Sequence, residues 1–367
     1  MDPKIKAYCM THGVLFADGS IPPITLQPSS FPRAAFEQAM QVSPEIAELF
    51  FQKIPKEDAC RIEFAVMRVD FMLDGGDELK LVEVNTIASS LFGLSTQLCS
   101  MYKEAPSNTA LQDISAAFNK VNSMFNETYC QSDTIGVMFV QREECNLFDQ
   151  MHLVSSIDFP MFRIPLDDPN LKMDRGFLTY RDRVVSVVYF RTGYNYEDYF
   201  NERCHSNRAM VESSLAVKCP NARIQAAGRK SVQAAIKDVP KDVAKVWTRF
   251  YKPEEIISFD EVVMKTMREG GNEIVTGDAI KEHLHDEGVV FMDRIKPKAQ
   301  PVLAIRSEEV KSFMGVSELG IFCALISLDG SLVECKATGY LLRTKPEKAH
   351  GGGVAAGHAF IDVPILK

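Results

Sequence analysis

Two strand–turn–strand segments constrain this fold more than any other feature of the chain. FAVMRVDFML and ELKLVEVNTI flank the turn Asp74-Gly75-Gly76-Asp77, and ELGIFCALISL and SLVECKATGYLLR flank Asp329-Gly330. Apolar, β-branched runs on both sides of a short Asp-Gly turn are typical of antiparallel hairpins. The order of elements also lacks the βαβαβ rhythm of a dinucleotide-binding fold. We therefore predict an α+β chain built on a mostly antiparallel sheet.

Helices and shorter strands fill the rest of the chain. TIGVMFVQ and RVVSVVYFRTGY are short, apolar and β-branched, which indicates buried strands of a small α/β unit. Helical patterns follow Ser30, a plausible N-cap, and recur in residues 114–129, 209–218 and 231–237 and in GDAIKEHLHD. Two glycine-rich loops, REGGN and HGGGVAAG, each adjoin a predicted strand.

Charge and hydropathy exclude several classes of partner. The 367 residues carry a formal net charge of −8, so the chain lacks the basic footprint expected of a nucleic-acid or anionic-membrane binder. No run of 18 apolar residues occurs, and MDPKIKAYCM lacks the apolar core of a signal peptide. We expect a cytoplasmic protein, or alternatively a secreted one whose signal peptide has been removed.

The nine cysteines are scattered and include no CxxC pair. That distribution favours reduced thiols over a disulfide framework or a zinc site. Nucleophilic hydrolysis is also disfavoured, because GxSxG and recognisable Cys–His signatures are both missing.

Three motifs carry oxygen ligands or cations beside a strand or a glycine loop. In KLVEVNTI, strict alternation would place Leu81, Glu83 and Asn85 on one face, where the last two could bind Mg²⁺. KTMREGGN combines Lys265 and Glu269 with glycines whose backbone amides could approach phosphates, although no Walker pattern is present. LLRTKPEKAHGGGVAAG repeats this combination with an arginine suited to a carboxylate. For each motif alone, a solvated strand face or an ordinary surface turn remains an alternative.

Seven ordered sequence blocks together resemble one family, the eukaryotic glutathione synthetases. The blocks are VEVNTIASSLFGL, CNLFDQ, VVYFRTGY, AVKCPNARIQAAGRKSVQ, MKTMREGGN, VSELGIF and GYLLRTKPEKAHGGGVAAG. The resemblance implies an ATP-grasp fold with an inserted α/β substrate-binding domain and glycine-rich lid loops. It further implies that residues 131–228 form the inserted domain and that residues 1–130 and 229–367 form the ATP-grasp body and lid.

The resemblance also implies an activity. Family members are homodimers that use ATP and Mg²⁺ to phosphorylate the Cys carboxylate of γ-glutamylcysteine, and the amine of glycine then attacks the acyl phosphate. Lids that exclude water would protect such an intermediate.

Site residues are carried over by position, as expectations of the resemblance. The implied catalytic residues are Arg343, Arg68 and Lys265, and the implied Mg²⁺ ligands are Glu83, Asn85 and Glu269. Nucleotide binding is assigned to Lys230, Lys265, Glu269, Gly270, Gly271, Met292, Asp293, Arg294, Ile295, Glu318 and Lys345. Substrate binding is assigned to Arg68, Ser89, Ser90, Glu144, Asn146, Gln150, Arg191, Tyr194, Arg343, Val354 and Ala355.

The sequence departs from the family pattern mainly around the substrate and the lid. Ala88 and Thr192 replace a serine and an aspartate, and the first glycine loop continues as Asn272, Glu273 and Ile274. The chain is also shorter than typical members. Three functions therefore stay open: a glutathione-forming ligase, a ligase of the same mechanism with other substrates, and a nucleotide- or thiol-peptide-binding pseudoenzyme resembling the glutathione synthetase-like effectors of plant-parasitic nematodes.

Overall fold

The computed structural model describes residues 2–53, 61–266, 274–349, 353–355 and 357–367. Its α-helices are α1 (Pro3–Thr11), α2 (Arg33–Gln52), α3 (Phe92–Cys99), α4 (Ala110–Tyr129), α5 (Leu147–Ser156), α6 (Glu202–Ser213), α7 (Ala222–Ala227), α8 (Lys230–Ala235) and α9 (Lys241–Val246). Among these described residues, no helix combines the length and the apolar character needed to cross a membrane.

The strands are short apart from three long ones in the central sheet. They are β1 (Ile24–Thr25), β2 (Ser29–Phe31), β3 (Ile62–Asp74), β4 (Glu78–Asn85), β5 (Ile135–Phe139), β6 (Met161–Ile164), β7 (Leu171–Asp174), β8 (Phe177–Tyr180), β9 (Arg183–Phe190), β10 (Val217–Cys219), β11 (Phe250–Tyr251), β12 (Val262–Thr266), β13 (Ile274–Thr276), β14 (Val289–Asp293), β15 (Gln300–Arg306), β16 (Glu309–Leu328), β17 (Ser331–Pro346), β18 (Phe360–Asp362) and β19 (Pro364–Leu366).

A seven-stranded sheet in the order β15-β1-β18-β17-β16-β3-β4 forms the centre of the molecule. Both predicted hairpins are confirmed, because β3 pairs antiparallel with β4 and β16 pairs antiparallel with β17. Among the described residues, the β1–β18 pairing is the one parallel pairing in this sheet. The first ten residues of β3 are buried without alternation, as expected for a strand covered on both faces.

Helix α4 packs against this sheet through one apolar face. Its buried residues recur every three or four positions and include Leu111, Ile114, Phe118, Val121 and Phe125. The predicted helix in residues 114–129 is therefore confirmed and begins four residues earlier than predicted.

A second sheet, in the order β6-β5-β9-β8-β7, contains the two apolar runs predicted as buried strands. β5 pairs in parallel with β6 and β9, so this part has the predicted α/β character. The helix predicted for residues 209–218 is partly wrong. Helix α6 ends at Ser213, and Val217–Cys219 forms β10, which pairs in parallel with β9. Long-range strand pairing overrides the local helical pattern there.

A third, four-stranded sheet has the order β11-β14-β12-β13. The predicted helix in GDAIKEHLHD is a 3₁₀-helix over Gly277–His283, and Ile280 is its only buried residue. One buried side chain provides no apolar stripe for an α-helix to pack through, which explains the tighter, shorter element.

The last strand of the chain, β19, forms a separate two-stranded sheet with β2. β2 pairs in parallel with β19, which places Ser30 inside a strand, and Pro32 is the N-cap of α2. The predicted Ser30 cap is therefore wrong, because a pairing more than 300 residues distant in sequence determines its conformation. Every described cysteine is a free thiol, as predicted, and Cys60 lies outside the described residues.

Candidate ligand-binding site

A cavity of about 540 Å³ lies where the central sheet, the third sheet and the C-terminal segment meet. β3 and β4 form its floor, β12, β13 and β14 form one wall, and residues 87–91 and 353–355 border it. These elements come from distant parts of the sequence, so the cavity exists only in the folded chain.

Most of the predicted site residues line this one cavity. They are Arg68, Glu83, Asn85, Ser89, Ser90, Asn146, Tyr194, Lys230, Lys265, Met292, Asp293, Arg294, Ile295, Glu318, Arg343, Lys345, Val354 and Ala355. Glu269, Gly270 and Gly271 lie outside the described residues. Of the predicted residues that are described, Glu144, Gln150 and Arg191 do not line the cavity.

A β-bulge between β3 and β4 determines which side chains of the VEVN motif face the cavity. Phe71 pairs with Leu81 and Asp70 pairs with Glu83, so the pairing skips Val82. Val82, Glu83 and Asn85 line the cavity, whereas Leu81 packs in the hydrophobic core. The predicted common face of Leu81, Glu83 and Asn85 is therefore wrong, because a bulge resets the alternation by one residue.

Glu83 lies at the centre of a group of cations. Its carboxylate accepts a hydrogen bond from Lys230 Nζ at 2.7 Å. Burial alone would raise the pKa of Glu83, but Lys230, Lys265 and Arg343 hold it far below its usual value. Burial lowers the pKa of Lys265, and Lys230 and Lys345 act in the same direction. This concentration of positive charge suits a polyphosphate.

Glu83 and Asn85 provide oxygen donors suited to Mg²⁺. The hydrogen bond from Asn85 to Asp70 uses the amide nitrogen, Nδ2, so it does not engage the amide oxygen that would bind a cation. Among the described residues, no group of three or more His, Cys, Asp or Glu side chains is placed to hold a metal ion. Two protein donors nevertheless fit Mg²⁺, which usually keeps several waters and binds substrate phosphates.

Arg68 on β3 and Arg343 on β17 reach the cavity from either side of β16, and both contact Asp70. Arg68 Nε and Nη2 donate to Asp70 at 2.6 and 2.8 Å, and Arg343 Nη2 donates to it at 3.0 Å. Arg343 also bonds to Glu318, its cross-strand neighbour. Sequence patterns did not point us to Asp70. The signal that could have identified it is the Arg68-Val69-Asp70 charge pair within the apolar run FAVMRVDFML.

Residues 292–295, which are predicted to bind the nucleotide, form the end of β14 and the segment after it. Met292 is 1% exposed, and the Asp293 carboxylate accepts bonds from the Arg249 N–H and the Tyr251 hydroxyl. The side chain of Asp293 is thus engaged within the protein. Backbone groups of this segment and the Arg294 and Ile295 side chains, which line the cavity, remain open to a ligand.

Residues 87–91 form a loop whose conformation is stabilised by hydrogen bonds to residues that do not line the cavity. Ala88 and Leu91 have positive φ values of 53° and 74°, which non-glycine residues rarely adopt. Asp149 accepts the backbone N–H groups of Leu91, Gly93 and Leu94, and the carbonyl oxygen of Ser89 accepts a bond from Arg191. Arg191 therefore supports the loop behind the cavity, and its predicted contact with a substrate remains a prediction.

Glu144 lines a second, smaller cavity beside the carboxyl ends of β5 and β6, and Gln150 is buried next to it. Gln150 Nε2 donates to Glu144 at 2.6 Å, and Arg163 Nε donates to Gln150 at 2.7 Å. Glu144 and Arg163 line this space of about 400 Å³. Of the predicted substrate residues, Glu144 therefore lines the second cavity, whereas Gln150 and Arg191 line neither of the two cavities.

Two family models match this chain. The ATP-binding domain of eukaryotic glutathione synthase matches residues 253–366, and the eukaryotic glutathione synthase model matches residues 134–227. Together they cover more than half of the chain. The chain belongs to the eukaryotic glutathione synthetase family.

Individual relatives agree with this membership. A chloroplastic glutathione synthetase of Arabidopsis thaliana is 27% identical, with 96% of this chain and 82% of the relative aligned. A glutathione synthetase of Xenopus laevis is 28% identical, with 95% of this chain and 90% of the relative aligned. Family membership supports an ATP-dependent ligase of the glutathione synthetase type.

The same architecture occurs in a solved structure, the apo form of a glutathione synthetase-like effector from Globodera pallida. The two chains superpose with a TM-score of 0.79 at 18% identity, over 100% of this chain and 98% of the other. The fold of this glutathione synthetase family member is the predicted α+β fold of the ATP-grasp type.

Proposed function

We propose that the chain is an ATP- and Mg²⁺-dependent ligase that joins γ-glutamylcysteine to glycine or a similar amine through an acyl phosphate. The observation that carries the proposal is the convergence of Lys230, Lys265 and Lys345 with Arg68 and Arg343 in one cavity. Lysines there suit phosphates and the arginines suit carboxylates, which are the two groups that such a ligase must bring together.

The roles of the cavity residues follow from the chemistry of acyl phosphate formation. The three lysines hold the transferred phosphoryl group and balance its charge, because phosphoryl transfer depends mainly on positioning and electrostatic stabilisation. Bound Mg²⁺ would be held by Glu83 and Asn85 and would supply further neutralisation of phosphate charge.

Arg68 and Arg343 would orient the reacting carboxylate and the acceptor on opposite sides of Asp70. Val354 and Ala355, which line the cavity, would limit the access of water to the acyl phosphate. Residues 131–228 would serve as the substrate-binding domain, with Glu144 and Gln150 oriented toward the γ-glutamyl end. A homodimer is part of this proposal.

A ligase of the same mechanism with other substrates is the second candidate. Ala88 and Ile274 line the cavity at positions where the sequence departs from the family pattern. Ala88 lacks a hydroxyl, and Ile274 adds an apolar surface at the nucleotide end. The Globodera pallida protein is a glutathione synthetase-like effector, and the third candidate is a chain that binds nucleotide or thiol peptide without turnover.

A coupled assay of ADP release separates these possibilities. The purified chain is supplied with ATP, Mg²⁺ and γ-glutamylcysteine together with a panel of amines, and the product is identified by mass spectrometry. Formation of a γ-glutamylcysteinyl peptide supports the proposal. Turnover only with other carboxylates supports the second candidate, and nucleotide binding without ADP release with any pair of substrates contradicts a ligase function.

A further inference from the structure

We propose that Asp70 is a positioning residue that sets the orientation of Arg68, Arg343 and Asn85 together. The inference rests on the proposed function, since it assigns these three side chains to substrate carboxylates and to Mg²⁺. Asp70 itself is fully buried and does not line the cavity, so it acts through its neighbours.

Both carboxylate oxygens of Asp70 accept hydrogen bonds from the three side chains. One oxygen accepts from Arg68 Nε at 2.6 Å, and the other accepts from Arg68 Nη2 at 2.8 Å, Asn85 Nδ2 at 2.8 Å and Arg343 Nη2 at 3.0 Å. A two-point contact with a guanidinium fixes its plane as well as its position. One carboxylate therefore aligns two cationic groups and one potential metal ligand.

The strand register makes this arrangement possible. Arg68 lies opposite Asn85 on β4, and Asp70 lies opposite Gly320 on β16. A Cβ atom at Gly320 would lie 2.6 Å from Asp70 Oδ1 and 2.7 Å from Arg68 Cδ. Glycine at this position leaves the space in which the Arg68–Asp70 pair lies flat against β16.

The same strand offers a matched control. Glu63, also on β3, forms an equally buried ion pair with Arg223 at 2.7 Å, but neither residue lines the cavity. If Asp70 were only structural, removing its charge would have the same consequences as removing that of Glu63.

The test compares Asp70→Asn with Glu63→Gln in the full-length chain. Both variants should lose thermal stability, because each leaves a buried arginine without its carboxylate partner. Only Asp70→Asn should also weaken γ-glutamylcysteine binding, by about 10- to 100-fold, the range expected for charge-assisted hydrogen bonds. It should in addition reduce the gain in affinity that Mg²⁺ gives to a non-hydrolysable ATP analogue in calorimetric titrations. Binding of that analogue without Mg²⁺ should change less than about twofold, because the lysines are not attached to Asp70.

A Gly320→Ala variant keeps every charge and displaces the pair, so it should reproduce the two ligand effects even if Asp70→Asn does not fold. Equal ligand affinities for Asp70→Asn and Glu63→Gln, or for Gly320→Ala and wild type, would overturn the proposal. If wild type neither binds γ-glutamylcysteine nor turns over, the proposed function fails. The role of Asp70 is then judged on the Mg²⁺-dependent affinity for the nucleotide analogue alone.

Discussion

Glu83→Gln should change nucleotide binding in opposite directions with and without Mg²⁺. In the folded chain, Lys230 donates to Glu83 at 2.7 Å, and a phosphate that recruits this lysine must displace the carboxylate. The carboxylate also repels the triphosphate directly. Removing its charge therefore eliminates both obstacles when Mg²⁺ is absent.

The magnitude follows from the exposure of the pair. A charge-assisted hydrogen bond contributes about 1.5–3 kcal/mol when it is well shielded from water. The Glu83 side chain is 29% exposed and that of Lys230 is 18% exposed, so we use the lower end of this range. About 1.5 kcal/mol corresponds to roughly a tenfold gain in affinity for the nucleotide without Mg²⁺.

With Mg²⁺ present, the same substitution removes one of two protein oxygen donors for the metal. The Kd without Mg²⁺ should therefore decrease and the Kd with Mg²⁺ should increase. We expect the ratio of the Kd without Mg²⁺ to the Kd with Mg²⁺ to fall by more than about tenfold. Calorimetric titration with a non-hydrolysable ATP analogue, in EDTA and in saturating Mg²⁺, measures both values.

Glu212→Gln is a suitable control. Glu212 forms an ion pair with Arg208 at 2.9 Å, and the side chains of Arg208 and Glu212 are 12% and 25% exposed. Neither residue lines the cavity. Weaker binding of the nucleotide by Glu83→Gln in EDTA would refute the reasoning, as would an unchanged gain from Mg²⁺.

Other parts of the molecule give further expectations. Lys265→Ala and Lys345→Ala should each weaken binding of the ATP analogue by about tenfold or more; unchanged affinity in both would show that these lysines do not contact phosphate. Because burial lowers the pKa of Lys265 below its ordinary value of 10.5, nucleotide binding should take up protons at alkaline pH, and affinity should fall as pH rises through the free-state pKa. Calorimetry in buffers of different ionisation enthalpy measures this uptake, which Lys265→Met should abolish. Ala88→Ser should lower the KM for γ-glutamylcysteine, since Ala88 lines the cavity, whereas Thr192→Asp should destabilise the fold, since Thr192 is 3% exposed; steady-state kinetics and thermal melts of the two single variants test this difference. Asp362→Asn should lower the free energy of unfolding by about 1–3 kcal/mol, because its buried carboxylate accepts bonds from the hydroxyls of Thr25, Ser29 and Thr344; denaturant titration checks the loss, and nucleotide affinity should stay unchanged.

The sequence alone was sufficient for features that depend on nearby residues. The turns at Asp74–Asp77 and at Asp329-Gly330 specify hairpins through local backbone preferences, and both hairpins are present. The apolar face of α4 likewise follows from its own spacing. Ordered sequence blocks also indicated the family, because each block keeps residues whose chemistry the cavity requires.

Tertiary structure decided the features that depend on distant strands. The bulge that turns Val82 into the cavity arises from the pairing of β4 with β3, and Ser30 joins a strand because β19 provides its partner. Arg191 supports the Ser89 carbonyl behind the cavity, a contact that no local pattern encodes. Asp70 has its role only because β3, β4 and β17 bring Arg68, Asn85 and Arg343 to one carboxylate. Local sequence sets backbone preference and periodicity, whereas the pairing of distant strands sets which side chains share a buried space.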